Sequence, residues 1–188
     1  MSHLAPTPGQ TVGPFFGYAL PFDGGEALVP PSHPRAIRLH GRVYDGSGEA
    51  VPDAIIELWQ ADEDGRAPQV EGSRARDGWT FTGFGRTAVD DTGHYSFTTL
   101  MPGATGDALP FFAITVFARG LLHRLLTRAY LPLSDAAAQT DALLRFLPAD
   151  RRDTLVVRPD EHGFVFDIRL QGEGETVFLE HSLDGRGS

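Results

Sequence analysis

Proline and glycine interrupt this chain too often for long helices to run through it. Fourteen Pro and 22 Gly are spread over 188 residues. Each proline fixes φ and removes a backbone donor, and glycine admits tight-turn conformations that other residues avoid. Between them lie short apolar runs, the pattern of an all-β chain. Residues 37–44 alternate apolar and polar side chains, as a half-buried strand does. Residues 54–60 form a second, more continuously apolar strand. Residues 86–89 and 94–100 flank Asp90-Asp91-Thr92-Gly93 and read as a hairpin. Residues 111–117 carry the aromatic and β-branched content of a buried strand, with 125–131 as its neighbour. Residues 156–157, 164–170 and 176–179 add short strands near the C-terminus. One helix is expected over 134–147, capped by Ser134, with Asp135 at its positive end and Pro148 stopping it. No internal repeat and no linker is present. These elements predict a single, mainly β sandwich domain over 37–188.

Residues 1–36 read as an extended N-terminal arm of the same domain. The run Thr7-Pro8-Gly9-Gln10-Thr11-Val12-Gly13-Pro14-Phe15-Phe16 suits neither a helix nor a central strand. It nevertheless ends in two phenylalanines, which a free tail would leave in water. The arm is therefore expected to dock.

Charge narrows the partners. Twenty-five acidic against 16 basic residues leave a net charge of −9, which argues against nucleic acid, since a polyanion is bound by displacing counterions with Lys and Arg. The chain has no Cys, so it forms no disulfide, no thiolate metal site and no Cys nucleophile. This fits a reducing cytoplasm. The N-terminus lacks the apolar stretch of a signal peptide. No apolar run approaches the roughly 20 residues that span a bilayer.

Reactive constellations are sparse. The seven His residues are His3, His33, His40, His94, His123, His162 and His181, and none forms an i,i+2 or i,i+4 pair with another. There is no Gly-x-Ser-x-Gly elbow. Asp90, Asp91 and the Asp62-Glu63-Asp64 cluster sit where turn chemistry explains them. Residues alone indicate a β-sandwich without its own catalytic set.

Six fragments in fixed order go further. They are Thr7-Pro-x-Gln-Thr-x-Gly-Pro14, Gly41-Arg-Val-Tyr-Asp-Gly46, Glu57-x-Trp-Gln-Ala-Asp62, Phe84-Gly-Arg-Thr87, Val116-Phe-Ala-Arg-Gly120 and Ile168-x-Leu-Gln-Gly-Glu-Gly-Glu-Thr-Val-Phe178. Over residues 4–179 the chain resembles the α subunits of protocatechuate 3,4-dioxygenase, within the intradiol ring-cleaving dioxygenases. The resemblance implies paired α and β chains, both β-sandwiches, in a large hetero-oligomer. It implies a non-haem Fe(III) held by two Tyr and two His of the β subunit. Protocatechuate and O2 would be the substrates and 3-carboxy-cis,cis-muconate the product.

In ligand-bearing chains of that family a Tyr lies eight residues after the Trp of Glu-x-Trp-Gln-Ala. Trp59 leads here to Ala67. The second Tyr falls two residues past a Pro-Gly, which is Thr105 here. The two His flank one residue of a strand that starts after a proline. Here Phe111 and Ala113 follow Pro110, and no His lies between His94 and His123. Phenolate and imidazole suit ferric iron, and Ala, Thr and Phe offer no equivalent. The chain is expected to bind no iron itself. The resemblance instead implies pocket residues lent to a neighbour: Thr11, Gly13 and Pro14 of the arm, beside Gln10 and Phe15, and Arg128 of Leu126-Thr-Arg-x-Tyr130. An Arg fork suits the substrate carboxylate; a structural ion pair on a strand is the competing role for Arg128. Two other functions stay open: a standalone β-sandwich binding module derived from this fold, and an intradiol enzyme for another catechol.

Overall fold

The computed structural model describes residue 13, residues 16–70, residue 74 and residues 76–180. Two sheets form the sandwich. The first contains β1 (Ile37–Tyr44), β4 (His94–Thr99), β7 (Arg158–Asp160), β8 (Gly163–Val165) and β9 (Ile168–Arg169). Its order is β4-β1-β8-β7, with β9 also paired to β1. The second contains β2 (Ile55–Trp59), β3 (Phe84–Ala88), β5 (Phe111–Phe117) and β6 (Leu125–Tyr130), in the order β3-β2-β5-β6.

Strand alternation builds the core. Leu39 and Val43 of β1, Tyr95 and Phe97 of β4, Ile56 and Leu58 of β2, and Phe112, Ile114 and Val116 of β5 point between the layers and are almost completely buried. Gln60 ties the sheets together at one end. Its Nε2 donates to the Leu100 carbonyl at 2.9 Å, and its Oε1 accepts from the Thr99 hydroxyl at 2.6 Å. Residues 16–29 run along the sandwich beside β3 and β4. After the single turn α1 (Phe16–Ala19), Phe22 stacks on Phe84 and Leu28 and Val29 enter the core. Arg76 holds this segment by donating to the carbonyls of Gly24 and Phe84.

The structure corrects four sequence expectations. Residues 86–89 and 94–100 are not a hairpin: β3 pairs with β2 and β4 pairs with β1, so the intervening turn carries the chain from one sheet to the other. Asp90 holds that corner, accepting from the Thr92 and His94 amides, while Gly93 adopts φ 74°.

The helix over 134–147 is broken into α2 (Asp135–Ala138) and a 3-10 turn at Leu144–Phe146. Ser134 does cap α2. The break comes from Asp141, whose fully buried carboxylate accepts from the amides of Leu143, Leu144 and Leu109 and so competes with helical pairing. Pro148 then starts a helix rather than ending one, preceding α3 (Ala149–Asp153).

The expected strand 164–170 is split into β8 and β9 at Phe166-Asp167. The Phe166 carbonyl approaches the backbone of Gly41 so closely that a Cβ there would lie 2.0 Å from it. Residues 176–179 make isolated hydrogen bonds, such as Leu179 amide to Leu126 carbonyl at 2.7 Å, but no strand. Among the described residues no helix is long and apolar enough to cross a membrane.

Candidate functional site

The outward face of the second sheet gathers most of the residues of interest. Cross-strand register sets Phe84, Trp59, Ala113 and Arg128 in one row from β3 to β6. The next row reads Arg86, Glu57, Thr115 and Leu126. Trp59 packs its ring 4.4 Å from that of Phe84 and remains 46% exposed. Ala113 places only a methyl group between the indole and the Arg128 side chain.

Arg128 is half-buried. Its guanidinium carbon lies 4.2 Å from the centroid of the Phe111 ring, a cation–π contact, and Nη1 donates to the Tyr130 hydroxyl at 3.2 Å. Among the described residues it makes no ion pair. Behind it, the Tyr130 hydroxyl donates to Asp141 Oδ1 at 3.2 Å. Burial raises the pKa of Tyr130. Burial also pushes that of Asp141 upward. The amides of Leu143, Leu144 and Leu109, with the Tyr130 hydroxyl, outweigh that push and hold it below the ordinary carboxylate value.

The four positions that the family resemblance matches to iron ligands fall into two pairs. Phe111 and Ala113 share the outward face of β5 beside Arg128. Thr105 and Ala67 lie on two loops that touch each other. The Thr105 hydroxyl contacts the Gly65 carbonyl at 3.3 Å, and the Gly103 amide donates to the Asp62 carbonyl at 2.8 Å. A methyl, a phenyl, another methyl and a hydroxyl already bonded to backbone do not fit a ferric ion. Among the described residues no group of three or more His, Cys, Asp and Glu could hold a metal. Of the arm residues, Gly13 is described. It has φ 73° with open space where a Cβ would stand, so its backbone conformation, not crowding, calls for glycine there. Thr11 and Pro14, with Gln10 and Phe15, lie outside the described residues.

One cluster escaped the sequence. β1–β4 pairing and the β7–β8 turn bring His94, His162 and Asp160 around His40. His40 Nε2 lies 3.2 Å from the Asp160 carboxylate, and ring centroids are 5.7 Å apart for His40–His94 and 6.4 Å for His40–His162. Burial, helped by the positive charges of His40, Arg38 and Arg42, lowers the His94 pKa against the pull of Asp90.

A profile for a family described as Dioxygenase matches residues 12–108. The protocatechuate 3,4-dioxygenase alpha chain of Burkholderia cepacia is 37% identical over 96% of this chain and 100% of its own length. The chain belongs to the intradiol dioxygenase family. The alpha chain from Pseudomonas putida is also 37% identical, over 94% of this chain and 97% of its own. The beta chain from Burkholderia cepacia is 31% identical over 74% of this chain and 66% of its own. Among solved structures, the dioxygenase domain of a dioxygenase–carbohydrate-binding protein fusion from Streptomyces sp. SirexAA-E superposes with a TM-score of 0.59. It is 26% identical, over 89% of this chain and 99% of that one. Catechol 1,2-dioxygenase from Acinetobacter sp. ADP1 shares the fold, with a TM-score of 0.54 at 21% identity over 76% of this chain and 55% of that one.

Two family fragments explain each other in the structure. Glu57 and Arg86 face each other in register, and Arg86 Nε donates to Glu57 Oε1 at 2.8 Å. Arg86 also donates to the Leu20 carbonyl at 2.9 Å, anchoring the N-terminal segment to the sheet. Tyr130 and Asp141 were not singled out from the sequence. Tyr130 carries a signal, since period-2 spacing places it on the same strand face as Arg128. Asp141 carries a local signal only for the turn at Leu143 and Leu144; its contacts with Leu109 and Tyr130 join parts of the chain that no short pattern links.

Proposed function

We propose that this chain is the non-ligating α subunit of a protocatechuate 3,4-dioxygenase. It pairs with a β subunit that holds the Fe(III), and the complex cleaves protocatechuate with O2 between the two hydroxyl-bearing carbons to give 3-carboxy-cis,cis-muconate. The observation that carries this reading is 37% identity to a protocatechuate 3,4-dioxygenase alpha chain over 96% of this chain. It is supported by the side chains at Ala67, Thr105, Phe111 and Ala113, none of which offers a phenolate or an imidazole.

This chain's part is to bind and orient. Residues 1–36 act as an arm whose Thr11, Gly13 and Pro14 line the β subunit's pocket, and Arg128 receives the substrate carboxylate. Of the five N–H donors of a guanidinium, Arg128 spends one on Tyr130 among the described residues. The others are free to form a fork with a carboxylate, which a net-acidic protein needs a placed cation to attract.

Co-expression with the cognate β chain tests the reading. The two chains should co-purify as a coloured, active hetero-oligomer whose iron scales with the β chain. The α chain alone should be colourless. Near-stoichiometric, tightly held iron in the isolated α chain would defeat the assignment, as would failure of the two chains to associate.

A further inference from the structure

We infer that Tyr130 and Asp141 are positioning residues that fix the direction in which Arg128 presents its guanidinium, with Phe111 as the shelf beneath it. The inference rests on the proposed role of Arg128 as carboxylate receiver.

Donor–acceptor counting sets the polarity of the chain of contacts. Arginine has no acceptor, so Arg128 can only donate to the Tyr130 oxygen. The hydroxyl therefore has its one proton left for Asp141, which as a carboxylate can only accept. The order cation, hydroxyl, carboxylate admits no alternative arrangement, and both links are charge-assisted. Asp141 in turn cannot swing. It is fully buried, and its two oxygens accept from Leu143 at 2.8 Å, Leu144 at 3.1 Å and Leu109 at 3.0 Å. Tyr130 is equally buried. A rigid anchor thus reaches from the backbone of the 3-10 turn and of the segment before β5 to one nitrogen of an otherwise flexible side chain.

Phe111 completes the clamp. It sits directly opposite Tyr130 and diagonal to Arg128 across the β5–β6 pair. Its ring supports the guanidinium from one side at 4.2 Å while Tyr130 holds an end. With one face stacked and one nitrogen tied, the remaining edge is presented in one orientation. Preorganisation of this kind lowers the ordering cost of binding. Phe111, at a position the family resemblance matches to a metal-ligating histidine, here carries the cation.

The test uses the assembled α/β enzyme, with protocatechuate and with catechol, which lacks the carboxylate. Arg128→Ala should raise the KM for protocatechuate and erase the preference for it over catechol. Tyr130→Phe removes one oxygen and should cut that preference roughly tenfold, through KM, as loss of one hydrogen bond to a charged group does. In the Arg128→Ala background Tyr130→Phe should add nothing, because its effect runs through Arg128. Asp141→Asn, which keeps shape and an acceptor, should shift the preference in the same direction and serves where Tyr130→Phe assembles poorly. An altered preference in Arg128→Ala with an unchanged one in Tyr130→Phe and Asp141→Asn would overturn the positioning role alone. An unchanged preference in Arg128→Ala would overturn the carboxylate-receiver reading, and this inference with it.

Discussion

Replacing Glu57 by Ala tests what holds the outward face of the second sheet together. The side chains of Glu57 and Arg86 are only 14% and 17% exposed. Deleting Glu57 leaves the Arg86 guanidinium with the Leu20 carbonyl and a cation–π contact to Phe84, its carbon 5.6 Å from the ring centroid, and with no counter-charge among the described residues. Removing one member of a fully buried pair costs about 3–5 kcal/mol, chiefly because the other charge is stranded. The residual exposure lets water screen part of this, which brings the expected cost to about 2–4 kcal/mol. For a domain of this size a kilocalorie lowers the melting temperature by roughly 2–4 °C, so the shift should be about 4–16 °C. Thermal melts of the assembled complex at fixed protein concentration would read it. The double variant Glu57→Leu with Arg86→Met, which strands no charge, should recover a large part of the loss. A double variant as unstable as Glu57→Ala would refute the stranded-charge argument and leave lost packing as the cause. A Glu57→Ala melt within a degree or two of the parent would mean the pair contributes little.

Gly41→Ala should abolish assembly of soluble complex, since its Cβ would stand 2.0 Å from the Phe166 carbonyl, whereas Gly17→Ala, with nothing within 4 Å, should be tolerated; expression yield and gel filtration of both variants check this. Stability should fall as pH drops. The folded state keeps the His94 pKa below its ordinary 6.5, so the unfolded chain takes up a proton first, and stability is full above that pH and declines through and below it. His94→Gln should flatten this part of a stability–pH curve, and an unchanged slope would remove His94 as a contributor. Gln60→Ala strands the Thr99 hydroxyl and the Leu100 carbonyl between the layers and should cost about 1–3 kcal/mol, measured as a lower melting temperature of the complex.

How much of the fold could be read beforehand depended on how local each decision was. β1 and β5 were legible at their full lengths because alternation and β-branched content act within a strand. The corner at Asp90–Gly93 was not, because Asp-Asp-Thr-Gly forms the same tight turn whether the next strand returns to its own sheet or crosses to the other. What decides is the pairing of β4 with β1, a contact about 50 positions away in the chain. The expected helix over 134–147 failed for the same reason. Its local propensities are good, and α2 and its Ser134 cap do form. Asp141 breaks it because its carboxylate takes the Leu143 and Leu144 amides, and its contacts with Leu109 and Tyr130, distant in the chain, hold it in that place.

The site divides along the same line. Missing iron ligands can be read one position at a time, but the company those positions keep requires the register of β5 against β6. That register explains how a member of this family can lose the donor side chains without losing the sandwich. Phe111 and Ala113 point away from the inter-sheet core, while Phe112, Ile114 and Val116, on the opposite face of the same strand, are buried in it. Substitution at Ala113 therefore leaves the packing between the two sheets untouched, whereas Phe111 also packs on the smaller cluster of Tyr130, Ala138, Leu144 and Leu155. The face is free to be rebuilt, and here it carries an aromatic shelf, a small residue and a clamped arginine in place of ligands. Packing between the sheets and site chemistry sit on opposite faces of one strand, and a two-residue period keeps the inter-sheet core apart from the site.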